Sequence, residues 1–274
     1  LPPALRSLES YAFRNCTKLE SINIPNSLTD IQPYAFEGCP NLNIPLYNTT
    51  RFIYLPPSFE GEYTIPQGIQ IICPTAFSQC DSLTAVTIPQ SMTRIEDFAF
   101  EGCTRLQEAE IPAHTTYIGN GAFSGCSQLR IMLLPDAAQH VGYSAFSGCS
   151  SLSRIELPTS LSEIQSYTFS DCAQLDSVII PHSVTSIRND AFNGCTSLTY
   201  VEIPSSVTEI NSGAFRGCSQ LIRVQLPASV NSLSSNAFSQ CASLEFIHVD
   251  KNNPAYTSIN GVVFNKEKTK IVTI

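Results

Sequence analysis

Apolar and polar positions alternate along this chain in a short unit that recurs many times. In residues 83 to 106 the apolar set is Leu83, Val86, Ile88, Pro89, Met92, Ile95, Ala99, Phe100, Cys103 and Leu106. The Val86-x-Ile88 alternation has period 2 and predicts a short strand. Pro89 ends the ladder there because it lacks an N–H donor. A turn then carries the chain to Met92 and Ile95, both expected to point inward. Asp97-Phe98-Ala99-Phe100 is expected to make a single helical or 3₁₀ turn that drops Phe100 into the core. The residue before the cysteine is Gly38, Gly102, Gly125, Gly148, Gly194 or Gly217, and elsewhere Asn15 or Asp171. These residue types tolerate positive φ, so a left-handed turn is expected at that slot. Gln79 and Gln240 fit it less well.

The unit repeats in strict phase. Its cysteines are Cys16, Cys39, Cys80, Cys103, Cys126, Cys149, Cys172, Cys195, Cys218 and Cys241. Each has Phe three residues before it, from Phe13 to Phe238, and Leu three residues after it, from Leu19 to Leu244. Every step from Cys80 to Cys241 is 23 residues, as is the step from Cys16 to Cys39. A fixed period of this length means stacked coils, since one such unit cannot bury its own apolar face. Residues 1–274 are therefore expected to form one elongated body.

The pattern resembles leucine-rich repeats. Leu83-x-x-Val86-x-Ile88 matches the strand of such repeats, and Phe100-x-x-Cys103 matches their far side. The customary Asn after the strand is missing, and Pro stands one residue beyond it. With the A-F-x-G-C-x-x-L motif, this is similar to the BspA-like (LRR_5) subfamily, and residues 203–221 come very close to its consensus. The fold class this resemblance implies is α/β. It is a right-handed leucine-rich-repeat solenoid with a parallel β-sheet on one face and short helical or 3₁₀ turns on the other. The function it implies is surface adhesion or host-matrix binding, in animal-associated bacteria and some protists.

Between Cys39 and Cys80 the step is 41 residues, 18 more than the repeat. The inserted segment, 43–64, contains Thr50 to Leu55, which aligns with Thr269 to Ile274 at the C-terminal end. There, Gly261–Phe264 and Thr269–Ile274 read as a β-hairpin around a polar turn, giving a C-terminal hairpin over 256–274. The proline expected next would be residue 275, so the hairpin is expected to be truncated and the natural chain to continue. The 43–64 insert reads as a spacer, with ligand binding as the alternative.

Composition narrows the functions. The chain is 43% apolar, so it folds. Its net charge is −8 and only 14% of its residues are charged, which excludes the clustered Lys and Arg that nucleic acid requires. No apolar run reaches the length of a membrane span, and no signal peptide is visible. Ten of the eleven cysteines occupy one repeat column among Phe and Leu. They read as a buried column of free thiols, with disulfides or metal as the competing readings. The eleventh, Cys73, shares a slot with Glu9, Gln32, Glu96, Gln165, Arg188 and Asn211, and is expected to face solvent. His114, His140, His182 and His248 share no column and fit no ligand spacing. No hydrolase, zinc-protease, phosphate-loop or EF-hand motif occurs. Neither enzymatic activity nor a cofactor is expected.

The outward positions of the predicted strands are the remaining candidates. Their three columns bring out Ile131, Leu133, Ile179, Tyr200, Ile222 and Phe246, with Arg154 and Arg223 nearby. Large apolar and aromatic side chains beside arginine have the chemistry of interface hot spots. The candidate binding residues are Ile131, Leu133, Arg154, Ile179, Tyr200, Arg223 and Phe246. The competing reading is a solvated face whose apolar side chains touch one another along the ladder. The sequence thus points to a non-enzymatic scaffold of a secreted or cell-surface protein, binding another macromolecule, an extracellular protein or glycan, in adhesion or host-protein binding. A glycan-binding or spacer module is the second reading.

Overall fold

The computed structural model describes residues 1–273. From residue 61 to 249 each coil contributes one strand to each of two parallel ladders. The first ladder runs Gly61–Thr64, Leu83–Thr87, Glu108–Ala109, Ile131–Leu133, Arg154–Glu156, Ser177–Ile179, Tyr200–Glu202, Arg223–Leu226 and Phe246–Val249. Its hydrogen-bonded continuity breaks after Glu108–Ala109 and again after Arg154–Glu156. The second ladder is built from two-residue strands such as Ile71–Ile72, Arg94–Ile95 and Ser186–Ile187. Register advances by one repeat per coil: Val178 pairs with Val201, Val201 with Val224, and Val224 with Ile247. A turn closed by the bond from Met92 N–H to Pro89 O joins the two ladders, and the same bond recurs from Val184 to Pro181 and Val207 to Pro204. The prolines thus sit at turn corners, where their missing N–H costs nothing.

The far face corrects one expectation. No helix, α or 3₁₀, is present among the described residues, so the fold is a parallel β-solenoid and not α/β. The reason lies in where the rung's N–H groups go. Alternate groups bind the next coil: Phe98 N–H to Asn120 O, Phe100 N–H to Ala122 O and Gly102 N–H to Ser124 O, at 2.7–2.8 Å. The intervening ones close tight turns, as Glu101 N–H does to Phe98 O and Cys103 N–H to Phe100 O. Only half the donors are available locally, and Phe98 and Gly102 both have positive φ (57° and 71°), which breaks a right-handed helix. The left-handed turn expected before each cysteine is present, including at Gln79 and Gln240.

The core is a stack of phenylalanines. From Phe77 to Phe238, neighbouring rings lie 4.6 to 5.8 Å apart and nearly parallel. Beside it runs the cysteine column. All eleven cysteines are free; Cys16 and Cys241 are half-buried and the rest are buried. Each thiol in the regular coils does more than fill space. It donates to the carbonyl of the phenylalanine in the preceding coil: Cys103 to Phe77 O, Cys149 to Phe123 O and Cys195 to Phe169 O, at 3.1–3.2 Å. Burial pushes the Cys149 thiol up to about 12, so it stays protonated and unreactive. A thiol reagent is therefore expected to reach Cys16 and Cys241 in the native protein and all eleven cysteines after unfolding. Disulfides found under non-reducing mass spectrometry would contradict this.

Cys73 is a second correction. It is buried, at 2% exposure, and burial raises its thiol to about 12. Glu9 in its column is exposed and Gln32, Glu96, Gln165, Arg188 and Asn211 are half-buried, but at Cys73 the preceding coil is the insert. Ile53 and Tyr54 of that insert, with Ile31, pack with Cys73 in one apolar cluster.

The insert is itself a coil. Its strand Arg51–Tyr54 pairs antiparallel with Leu46–Tyr47 and parallel with Ile71–Ile72, and Gly61–Thr64 pairs with Leu83–Thr87. Asn48 pins the hairpin to the body. Its amide donates to Leu28 O at 3.0 Å, and its carbonyl oxygen accepts from Thr50 N–H and Arg51 N–H. Asn253 repeats this at the other end, donating to Pro227 O and Val230 O and accepting from Ala255 N–H and Tyr256 N–H. The strands Tyr256–Ile259, Val262–Asn265 and Ile271–Thr273 follow it as an antiparallel meander.

Candidate functional site

The first ladder turns one set of side chains to solvent by strand alternation. Arg223–Leu226 and Phe246–Val249 both alternate exposed and buried residues. Tyr200, Arg223 and Phe246 are direct neighbours in register, on three consecutive paired strands. Tyr200 and Phe246 are exposed, and Arg223 between them enters no ion pair among the described residues. Ile179 lies in the next column, opposite Glu202, and is the most exposed of the large apolar residues at 85%. Ile131 and Leu133 are exposed too, opposite Arg154 and Glu156, but on the separate pair of strands beyond the break in the ladder. Arg154 is paired with Glu156 on its own strand, so its charge is partly spent. The seven candidates thus fall into two groups, with the tightest register around Arg223.

The second ladder carries its own polar cluster. The Arg94 guanidinium lies 4.0 Å from the centre of the Tyr117 ring and 2.8 Å from Glu96, and Tyr117 stacks on His140 at 4.7 Å. Its groups satisfy one another, as a surface network does.

A cleft opens where the insert interrupts the rungs, a feature the sequence reading did not assign. Its volume is about 650 Å³. One wall is the rung around Tyr34 to Cys39, the other is Pro74 to Gln79, and Tyr54 with Pro56 and Pro57 from the insert fill the space between. Complete coils place a Phe-x-x-Cys rung at this level; the hairpin coil has none. Phe36 reaches Tyr54 at 5.9 Å, and Phe52 takes over the stack on Phe77 at 4.7 Å. Tyr34 bridges the opening. Its N–H donates to Thr75 Oγ1 at 2.9 Å and its hydroxyl to Glu101 at 3.1 Å. Burial, then the Glu101 carboxylate, push its phenol up to about 12. The 18-residue surplus in one step was the sequence signal for this place, but not for a missing rung.

The profile of the BspA type leucine-rich repeat region matches the chain in six copies, over residues 1–55, 58–176 and 162–274. The chain belongs to the BspA-type leucine-rich repeat family. Solved structures of similar shape come from several bacteria. A leucine-rich cell surface protein of Faecalibacterium prausnitzii is 29% identical, with 90% of this chain and 79% of that one covered, at a TM-score of 0.54. A leucine-rich repeat protein of Eubacterium ventriosum is 28% identical over 79% and 63% of the two chains, at 0.61. The leucine-rich repeat protein of T. pallidum is 33% identical over 62% and 82%, at 0.57. No curated protein matches the sequence. Among the described residues, no helix of this BspA-type chain is long and apolar enough to cross a membrane.

Proposed function

We propose that this BspA-type chain is a non-enzymatic scaffold of a cell-surface or secreted protein, and that the outward face of its first ladder binds another macromolecule by adhesion. The observation that carries the reading is Arg223, without an ion pair among the described residues, held in register between exposed Tyr200 and Phe246, with Ile179 alongside. Aromatic and arginine side chains supply most of the binding energy once a partner removes their water. The acidic neighbours Glu156 and Glu202, opposite Leu133 and Ile179 in the ladder, favour a partner with some basic character. Surface placement is supported by the Faecalibacterium relative, which is itself a cell surface protein. The Cys172 and Cys195 thiols, among the chain's latent nucleophiles, are fully buried, and that burial raises both and keeps them protonated, which favours binding over chemistry.

Protein is the expected partner class. Carbohydrate platforms use aromatic rings set in pairs, whereas Tyr200 and Phe246 are two coils apart. A panel of purified extracellular proteins, run beside a glycan array, tests the reading. At least one saturable protein hit is expected, and hits confined to glycans would overturn the reading.

A further inference from the structure

The missing rung leaves backbone groups without partners, in a pattern that defines a ligand. In complete coils alternate rung N–H groups bind the next coil, as Phe123 N–H binds Ala145 O and Gly125 N–H binds Ser147 O, at 2.7–2.8 Å. The equivalent donors at the cleft are Phe36 N–H and Gly38 N–H. Neither has a protein acceptor among the described residues, and both residues line the opening. On the opposite wall Ser78 O occupies the position of Ser124 O and Ser147 O, which accept from the preceding rung; Ser78 O has no donor among the described residues. Ala76 O, beside it, is already taken by Leu55 N–H at 2.7 Å. One wall thus offers donors on alternate residues and the other an acceptor, the requirement of an added polypeptide segment.

The remaining chemistry selects the side chains of that segment. The cleft's volume, about 650 Å³, falls within the range of ligand sites, about 300–1,000 Å³. Phe36 and Tyr54 present aromatic surface to it. Its charged lining residues are Glu37 and Glu101, with no Lys or Arg among them. Glu37 is paired with Arg14 of the preceding coil. Glu101 accepts from the Tyr34 hydroxyl and Ser78 Oγ but enters no ion pair among the described residues. Free N–H donors alone would suit an anion, but two carboxylates at the mouth oppose one.

We propose that this cleft binds a short peptide segment seated as the absent rung, with an apolar side chain directed at Phe36 and Tyr54 and a basic side chain directed at Glu101. The site is separate from the strand face, so either can fail without the other.

The probe is the peptide acetyl-Ser-Ala-Phe-Lys-Gly-Ser-amide, which follows the chain's own rung at residues 144–149 with a lysine at the variable position and serine in place of the cysteine. Its titration into the intact chain is followed by amide NMR. Saturable shifts are expected at Phe36 and Gly38, with slowed hydrogen exchange at both amides. Replacing the peptide's lysine by glutamate is expected to weaken binding about tenfold or more. Glu101→Gln in the protein should have a similar effect and leaves the Tyr34 and Ser78 partners an acceptor. No change at Phe36 and Gly38 at roughly millimolar peptide would overturn the proposal, since a site too weak to fill there holds its ligand by less than about 4 kcal/mol. So would shifts confined to the strand face, or equal binding of the lysine and glutamate peptides.

Discussion

Phe146→Ala is expected to destabilise the protein by about 3–5 kcal/mol, the cost of truncating a fully buried phenylalanine. Phe146 has no solvent exposure and sits in mid-stack, 5.5 Å from Phe123 and 5.8 Å from Phe169. Its backbone is held on three sides. Phe146 N–H donates to Thr168 O at 2.9 Å, and its carbonyl accepts from Cys149 N–H at 3.1 Å and Cys172 Sγ at 3.2 Å. The adjoining rungs are pinned by the same bonds and cannot close over the space an alanine leaves, which places the loss toward the upper end of the range. In a solenoid each coil touches only its neighbours, so the damage should be local. Hydrogen exchange is expected to accelerate between residues 123 and 169 before the terminal coils respond. Unchanged protection across that span would mean the phenylalanine column does not carry the core.

The phase of Phe, Cys and Leu was enough to place the core, because equivalent residues of stacked coils share one environment. The outward strand columns followed from alternation alone, and the register pairs Tyr200, Arg223 and Phe246 as the column order requires. The far face was not legible for a definite reason. Tyr34, Thr75 and Phe98 adopt positive φ, and nothing about tyrosine, threonine or phenylalanine announces it. A short apolar stretch ending in Gly-Cys then reads as a helical turn, although half its N–H groups are committed to the next coil. Cys73 failed for a different reason: a column predicts environment only while the neighbouring coils are regular, and the insert replaces one of them. The thiol bonds to Phe77 O, Phe123 O and their equivalents were hidden because a buried cysteine has the same pattern whether or not it donates. Asn48 and Asn253 lie too far apart in the chain to read as a pair, and only their shared bonding reveals one device.

The central claim is that the first ladder's outward face is the binding surface, and the double substitution Tyr200→Ala with Arg223→Ala tests it most directly. Both side chains point away from the core and neither enters an ion pair among the described residues, so the melting profile should match the unsubstituted protein. Hot-spot residues of these types each contribute about 2 kcal/mol or more when desolvated at an interface. Even without additivity, the pair should weaken binding of a partner found in the panel by about thirtyfold or more. The measurement is the partner's Kd for the two proteins, together with that for a chain lacking residues 45 to 62. A thirtyfold loss in the double variant is the predicted result. Undiminished binding by that variant, with loss on deleting 45 to 62, would contradict the account and move the surface to the insert.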